Sequence, residues 1–478
     1  MWRCDTMASE QAPASPSMRL IASFFLIGLL APPIAAQSAM EEFRIYTEHP
    51  RLLLRPQRLR LLKRERERQS MRWNQFNALV AGKAEMPEPG FALALYFAVS
   101  GDAATGKRAI EWALGPGSDL RQLALVYDWC QPLLSEPQAR ALTQKIRKAL
   151  AVPATSQIIP QRNRIMAAIS IAEQNQNEAE ALIRDAVGKW WNGTLAARLN
   201  AGADLDPGNE LQALLEILHV VRDNLTLDLR DTAPEYFKTL PAYEVICNYP
   251  APLASTENEY RIPIFNGSGE PDLTRASLAR AAGLSTVAYD TNALENQFLQ
   301  GWLIQDRFIL RGVFGAPYEF LWANPYQPGL SYAHLPLTLH DQRSGSLFLR
   351  SDWEEDAVWF ALHDGQAQIY RDGRITVLAQ KGPLGAKPEP IHVGKSSIVV
   401  SRDSLRFQAD GDPVFIIGGK PRTQYDVEVD DEELVAVETD AAGTIELRFA
   451  DRTPGVRVRM AAHLATQQAN QEASHGRE

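Results

Sequence analysis

From Pro56 to about residue 302 apolar side chains return every three or four positions, separated by polar or Gly/Pro breaks, which is the spacing of amphipathic helices. The pattern predicts helices over Pro56–Gln69, 71–81, 90–99, 103–114, 119–131, 135–150, 160–173, 176–191, 207–225 and 272–300. Leu211, Leu214, Leu215 and Leu218 form an i, i+3, i+4, i+7 stripe on one face, and Pro56 suits a first helical turn. Helices of this length with short breaks predict helical hairpins side by side, as a bundle, solenoid or toroid. No strict repeat runs through them. Past Pro336 the period changes to two and β-branched residues rise. Strands are predicted at Ser346–Arg350, Ala357–His363, Arg374–Gln380, Ser397–Ser401, Leu405–Ala409, Val414–Gly418, Tyr425–Val429, Leu434–Thr439, Thr444–Phe449 and Val456–Ala461, with turns such as Arg371–Arg374 and Asp410–Pro413 between them. Short strands in succession predict antiparallel sheets stacked as a sandwich.

Between the two patterns lies Pro317–Pro336, which carries Tyr318, Phe320, Trp322, Tyr326 and Tyr332 among Asn324, Gln327 and His334. Its prolines and Pro328-Gly329 predict an irregular or extended crossing segment. Aromatic faces beside amide and imidazole groups suit a sugar ring, and they equally suit the seam between two domains. The layout is a prefix and signal over 1–38, a helical domain over 39–305, a crossing segment over 306–340, a β-sandwich over 341–465 and a polar tail over 466–478. The fold class is α+β multidomain.

The 478 residues are too many for one ordinary core, and 45% hydrophobic with 22% charged is globular composition. The net charge of -9 argues against nucleic acid as a partner, while leaving room for a local basic groove that holds an anion. Met18-Arg19, the apolar run Leu20–Ala31 and the small residues Ala35-Ala36-Gln37-Ser38-Ala39 have the layout of a secretory signal cleaved after Ala36 or Ser38. Residues 1–17 are a polar prefix, and Met18 is a candidate start. The run is too short to span a bilayer, so the expected location is periplasmic or secreted, with no stable membrane span after cleavage; a retained anchor is the competing reading. Cys4 precedes the signal. Cys130 and Cys247 are either one disulfide or two buried thiols. With no CxxC or HxxxH pair, neither a metal nor any other cofactor is expected.

Several local words occur in a set order: His49-Pro50-Arg51-Leu52-Leu53, Tyr127-Asp128-Trp129, Arg261-Ile262-Pro263, Arg350-Ser351-Asp352-Trp353 before the Trp359 strand, and Lys381-Gly382-Pro383-Leu384. In that order the chain resembles the heparinase II/III-like polysaccharide lyases over nearly its whole mature length. The resemblance implies a secreted α/α toroid followed by a β-sandwich, acting on uronate-containing polysaccharide by β-elimination. Such chemistry needs a group that neutralises the uronate carboxylate, a Tyr or His that removes the C5 proton, and an acid for the departing oxygen. The family's His-x-His-x-Asp-like run would fall on Gln368, Tyr370 and Asp372, where only the Asp is kept, in a stretch that equally suits a hairpin turn. Glu210 resembles the family's acidic residue, but no Tyr follows it over Leu211–Leu218.

The catalytic candidates are therefore Asn163, which either caps its helix or neutralises a carboxylate, and the pair Tyr332 and His334, two apart on one face of an extended segment. Expected substrate contacts are Arg164, Glu210, His219, Arg222, Asn324, Tyr326 and Tyr370. His219 and Arg222 share a helix face; Trp190-Trp191 either stack a sugar or fill the core. The expected partner is an acidic polysaccharide or oligosaccharide, and the oligomeric state is open. Two alternatives stand beside the lyase: a catalytically degenerate glycan-binding or scaffold protein, and a toroid glycoside hydrolase using Glu210 with Asp204 or Asp206.

Overall fold

The computed structural model describes residues 45–462 except 47, 154, 226, 266–268, 379–388, 401–403, 410, 431–434 and 449–455. The expected signal segment, Cys4, the Lys381–Leu384 word and the polar tail lie outside the described residues.

The helices are α1 Pro56–Glu67, α2 Met71–Ala81, α3 Pro89–Ser100, α4 Ala103–Leu114, α5 Leu120–Trp129, α6 Glu136–Leu150, α7 Ile158–Ser170, α8 Gln176–Asp185, α9 Ala196–Asn200, α10 Asn209–Leu225, α11 Pro234–Ile246, α12 Leu273–Tyr289, α13 Leu294–Leu303 and α14 Gly315–Trp322. Many begin on the residue that physics prefers: the side chains of Ser70, Asp102, Asp119 and Asp272 accept the first free amides of α2, α4, α5 and α12. Helices α3, α5, α7, α10, α12 and α14 pack each on the next, and α14 returns to α3. That closes an inner ring. Outside it, α4 lies against α3 and α5, α6 against α5 and α7, α8 against α7, α13 against α12, and α2 against α14. The helical half is an α/α toroid.

Three local expectations change. The 272–300 run is two helices, broken at 290–293, where Asn296 Nδ2 donates to the carbonyls of Thr286 and Asp290 and fixes the corner. Gly315–Trp322 is helical instead of extended, because Pro317 sits in the first turn, where its missing N–H costs nothing. This stretch supplies the last inner helix, so the ring extends past residue 305. Helix α11, hidden in sequence by Pro234 and Pro241, starts on the first proline and carries the second inside. Past α8 the chain continues as a π-helical segment, Ala186–Leu195, with both Trp190 and Trp191 buried. Cys130 and Cys247 are separate buried thiols.

The strands are β1 Leu253–Ala254, β2 Glu259–Tyr260, β3 Thr338–Asp341, β4 Ser346–Arg350, β5 Trp359–His363, β6 Gln366–Arg371, β7 Arg374–Leu378, β8 Ile391–Val393, β9 Ser396–Val400, β10 Ser404–Ala409, β11 Val414–Ile417, β12 Gln424–Val429, β13 Val435–Glu438, β14 Ile445–Leu447 and β15 Val456–Ala462. Among the described residues the β half has three sheets. The first is the antiparallel meander β3-β4-β5-β6-β7; the second runs β14-β11-β9-β8 and the third β10-β15-β12-β13. Pairing is antiparallel except between β9 and β11. Period two explains the stacking. Leu347, Leu349, Phe360 and Leu362 face Ile398, Phe415 and Ile417 of the second sheet. Val414 and Ile416, one position along, face Tyr425 and Val427 of the third. The other face of the first sheet, with Phe348, Trp359 and Tyr370, packs on Ile246, Tyr249, Ile262 and Leu310 from the helical half. Each large apolar side chain buried in this seam contributes about 1.5–3 kcal/mol.

Two of the ordered sequence words form a clasp. The Asp128 carboxylate accepts the backbone amides of Arg51 and Leu52 and lies 2.6 Å from His49 Nδ1. Glu173 takes Arg51 and the Tyr127 hydroxyl. Burial lowers the affinity of His49 for its proton, but hydrogen bonds to Asp128 and Glu173 outweigh that and raise its pKa. Another, Arg350–Trp353 with the Trp359 strand, lies at the seam. Arg350 lies over the Trp353 ring and donates to the Asp352 carbonyl, and Trp359 Nε1 donates to the Ile246 carbonyl.

Candidate functional site

The expected site residues do not converge. Asn163 lies in the second turn of α7, whose capping position is Gln157, so it is not a cap. Its Oδ1 accepts from Arg162 Nε at 2.7 Å. Arg162 in turn joins a buried network: Glu216 is gripped by Arg121 Nη2 at 2.6 Å and Arg162 Nη1 at 2.7 Å, and Glu88 reaches Arg121 and the Tyr318 hydroxyl. Burial alone would raise the Glu216 carboxyl; the two guanidinium groups bring it down to about 2. Arg164 points elsewhere and caps the end of α6, donating to the Leu150 and Val152 carbonyls. That corrects its expected substrate contact.

Tyr332 and His334 occupy a 3₁₀ turn, not a strand, so side chains two apart diverge instead of sharing a face. The Tyr332 hydroxyl accepts from Gln305 and its ring meets Trp353 edge-on, while His334 is exposed. The pair does not form. Tyr370 is only 6% exposed and packs against Tyr249, and Gln368 beside it is tied to Tyr249 and Phe265, so neither faces a ligand. Asp372 and Gly373, both at positive φ, make the two-residue β6–β7 turn. Glu210 accepts the Asp206 amide, and Asp206 pairs with Arg275 at 2.6 Å.

His219, Arg222 and Asn324 do come together, at the C-terminal ends of the inner helices. They line a cleft of about 660 Å³ with Arg58, Tyr289 and Trp322. Burial, with the Arg222 and Arg58 charges, pushes His219 down to about 3, and its Nε2 donates to the Ser285 carbonyl. It is a neutral, satisfied imidazole. Tyr326, 40% exposed, has the Arg68 guanidinium 5.1 Å over its ring.

A second constellation, which the sequence did not reveal, sits at the opposite end, where the ring meets the first sheet. The 202–206 loop is pressed onto the β3–β4 turn: Gly202 has φ +82, and a Cβ there would meet the Ser344 amide at 2.5 Å. That contact brings Asp204 to the His363 ring at the end of β5, with Oδ2 3.3 Å from Nδ1. Tyr243 of α11 lies alongside, its ring 6.4 Å from that of His363. The Tyr243 hydroxyl is buried without a hydrogen-bond partner, and burial with nearby negative groups raises its pKa well above 10. Asp204, Tyr243, Arg343, Ser346 and Phe348 border a cavity of about 120 Å³. His340, also on its wall, is held by Asp440 and Glu446 through its two nitrogens. An imidazole with a carboxylate beside it, a protonated phenol and a guanidinium that Asp341 holds through two hydrogen bonds are thus contributed by both halves. Tyr243 escaped detection because its helix was hidden by prolines, and His363 because only packing brings it to Asp204.

No protein-family model and no curated protein matches the chain. A solved structure described as a glycoside hydrolase is similar at 9% identity over 85% of this chain and 75% of that one, with a TM-score of 0.28. A superposition that loose carries no argument about chemistry. No helix among the described residues is long and apolar enough to cross a membrane.

Proposed function

We propose that the protein is an exported carbohydrate-active enzyme that binds an acidic, uronate-containing polysaccharide at the seam and cleaves it by β-elimination. The observation that carries this reading is the meeting of Asp204, Tyr243 and Arg343 around one cavity between the helical and β halves, with the His363 ring beside Asp204 and Tyr243. In this reading Arg343, which pairs with Asp341 in the free protein, shares its charge with the uronate carboxylate and reduces the cost of charge that builds beside C5. His363, with Asp204 steadying its protonated form, removes the C5 proton. The electron pair left behind forms the C4–C5 double bond as the C4–O bond breaks. Tyr243, which burial keeps protonated, gives its proton to the departing oxygen. Solvent then carries the proton from His363 back to Tyr243. The resemblance in sequence words to polysaccharide lyases supports the same chemistry.

The test is to incubate the protein with alginate, hyaluronan, chondroitin and heparan sulfate and follow unsaturated-uronate absorbance. His363→Ala and Tyr243→Phe should each lower the rate by about 100-fold or more, while His334→Ala leaves it unchanged. Absorbance on none of the polymers would overturn the lyase. Reducing ends without absorbance would mean hydrolysis, and binding without either product would leave a glycan-binding protein.

A further inference from the structure

The cleft at the C-terminal ends of the inner helices is unlike the seam. Arg55, Arg58, Arg60, Arg64 and Arg222 line it, against Asp223 and Asp290, an excess of three positive charges (5 − 2) in a chain whose net charge is -9. Part of that excess has a structural use. Arg58 Nη1 donates to the Trp322 carbonyl and Arg222 Nη1 to the Tyr289 carbonyl, capping α14 and α12 where the helix dipoles favour cations. The remainder has none. Arg60 and Arg64 are exposed and make no ion pair among the described residues. Arg55 lies over the Tyr46 ring with Nη1 buried and without a hydrogen-bond partner. Burial, aided by the Arg222 charge, lowers Arg58 to about 10 even with Glu65 and Asp223 nearby, so these guanidinium groups are crowded. Asn292 and Asn324 add amide groups on the rim, suited to hydroxyls.

We propose that this cleft is a second binding site, which takes the sulfate- or carboxylate-bearing end of an anionic oligosaccharide. Guanidinium forks pair two-pronged with both kinds of oxyanion, and amides alongside read the sugar hydroxyls. The anion specificity stands on the arginines alone; the saccharide part rests on the function proposed for the seam. Helix α10 has its N-terminus at the seam and its C-terminus in the cleft, and at 17 residues it separates the two by about 25 Å. One polymer chain long enough to span the toroid could engage both.

Calorimetric titration of His363→Ala protein, which would hold its ligand uncleaved, with a sulfated uronate hexasaccharide tests this. Two binding events are expected, one of which weakens about tenfold or more in an added Arg60→Ala/Arg64→Ala pair. Both residues are exposed, so the melting temperature should not move. Arg222→Gln should weaken the same event and leave the other. Unchanged binding in both variants would overturn the site, and so would inorganic sulfate binding as tightly as the hexasaccharide, which would make it a simple oxyanion site. A single event that is lost in the cleft variants would support the cleft and count against the seam.

Discussion

The two ends of the helical ring hold opposite solutions to the same electrostatic problem. At the N-terminal ends of the inner helices, Glu216 is enclosed by Arg121 and Arg162, and every charge of that network meets its complement inside the protein. At the C-terminal ends, arginines crowd a solvent-filled cleft with too few carboxylates. Matched charges buried in a core hold it in one arrangement; unmatched ones left open are available to something outside. The difference separates arginines that are paired within the fold from arginines that are left open, the latter carried mostly by α1 and its start instead of the inner helices.

That division can be broken most severely at Glu216. Glu216→Gln leaves Arg162 without a carboxylate partner and Arg121 with only Glu88 at 3.4 Å, and should cost about 3–5 kcal/mol of stability, read by denaturant unfolding. A loss under 1 kcal/mol would mean that Glu88 and solvent can replace it and that the interior is less closed than its burial indicates. Glu244 sharpens the contrast from the other side. Burial raises its carboxyl to about 8, Oε1 takes only the Thr286 hydroxyl, and Oε2 has no hydrogen-bond partner. The folded protein therefore holds a proton that the unfolded chain releases near pH 4.5, and stability falls as pH rises from there to 8. Glu244→Gln should flatten that decline and raise the melting temperature more at pH 8 than at pH 5. The smallest effect belongs to His340, whose burial would lower its proton affinity but whose two carboxylate partners raise it. Its contribution is complete below about pH 6.5 and lost as pH rises through the elevated value. His340→Gln should cost about 1 kcal/mol at pH 6 and progressively less at alkaline pH.

How far these regions could be read in advance depended on whether their cause was local. Strand edges in the β half are local, since alternation marks them, and Ser346–Arg350 and Val414–Ile417 fall where the pattern puts them. β6 was invisible because Gln366, Gln368 and Arg371 break the apolar alternation, although Gln368 is buried by bonds to Tyr249 and Phe265. Prolines were over-read: at Pro317 and Pro234 they open helices instead of ending them. The site was least legible. His219 and Arg222 share a face by simple helix geometry, so their pairing could be foreseen. Asp204, Tyr243 and His363 come from a loop, a helix and a strand, and nothing in their spacing announces that they meet.

The first sheet is apolar on both sides, with one face against the ring and the other against the second sheet. It is a party wall. Neither half keeps a finished surface if the other is pulled away, so hinge closure between them would tear open the molecule's own core. The cavity at the seam is therefore a slot of fixed width, and anything that fills it must fit that slot without drawing the walls together.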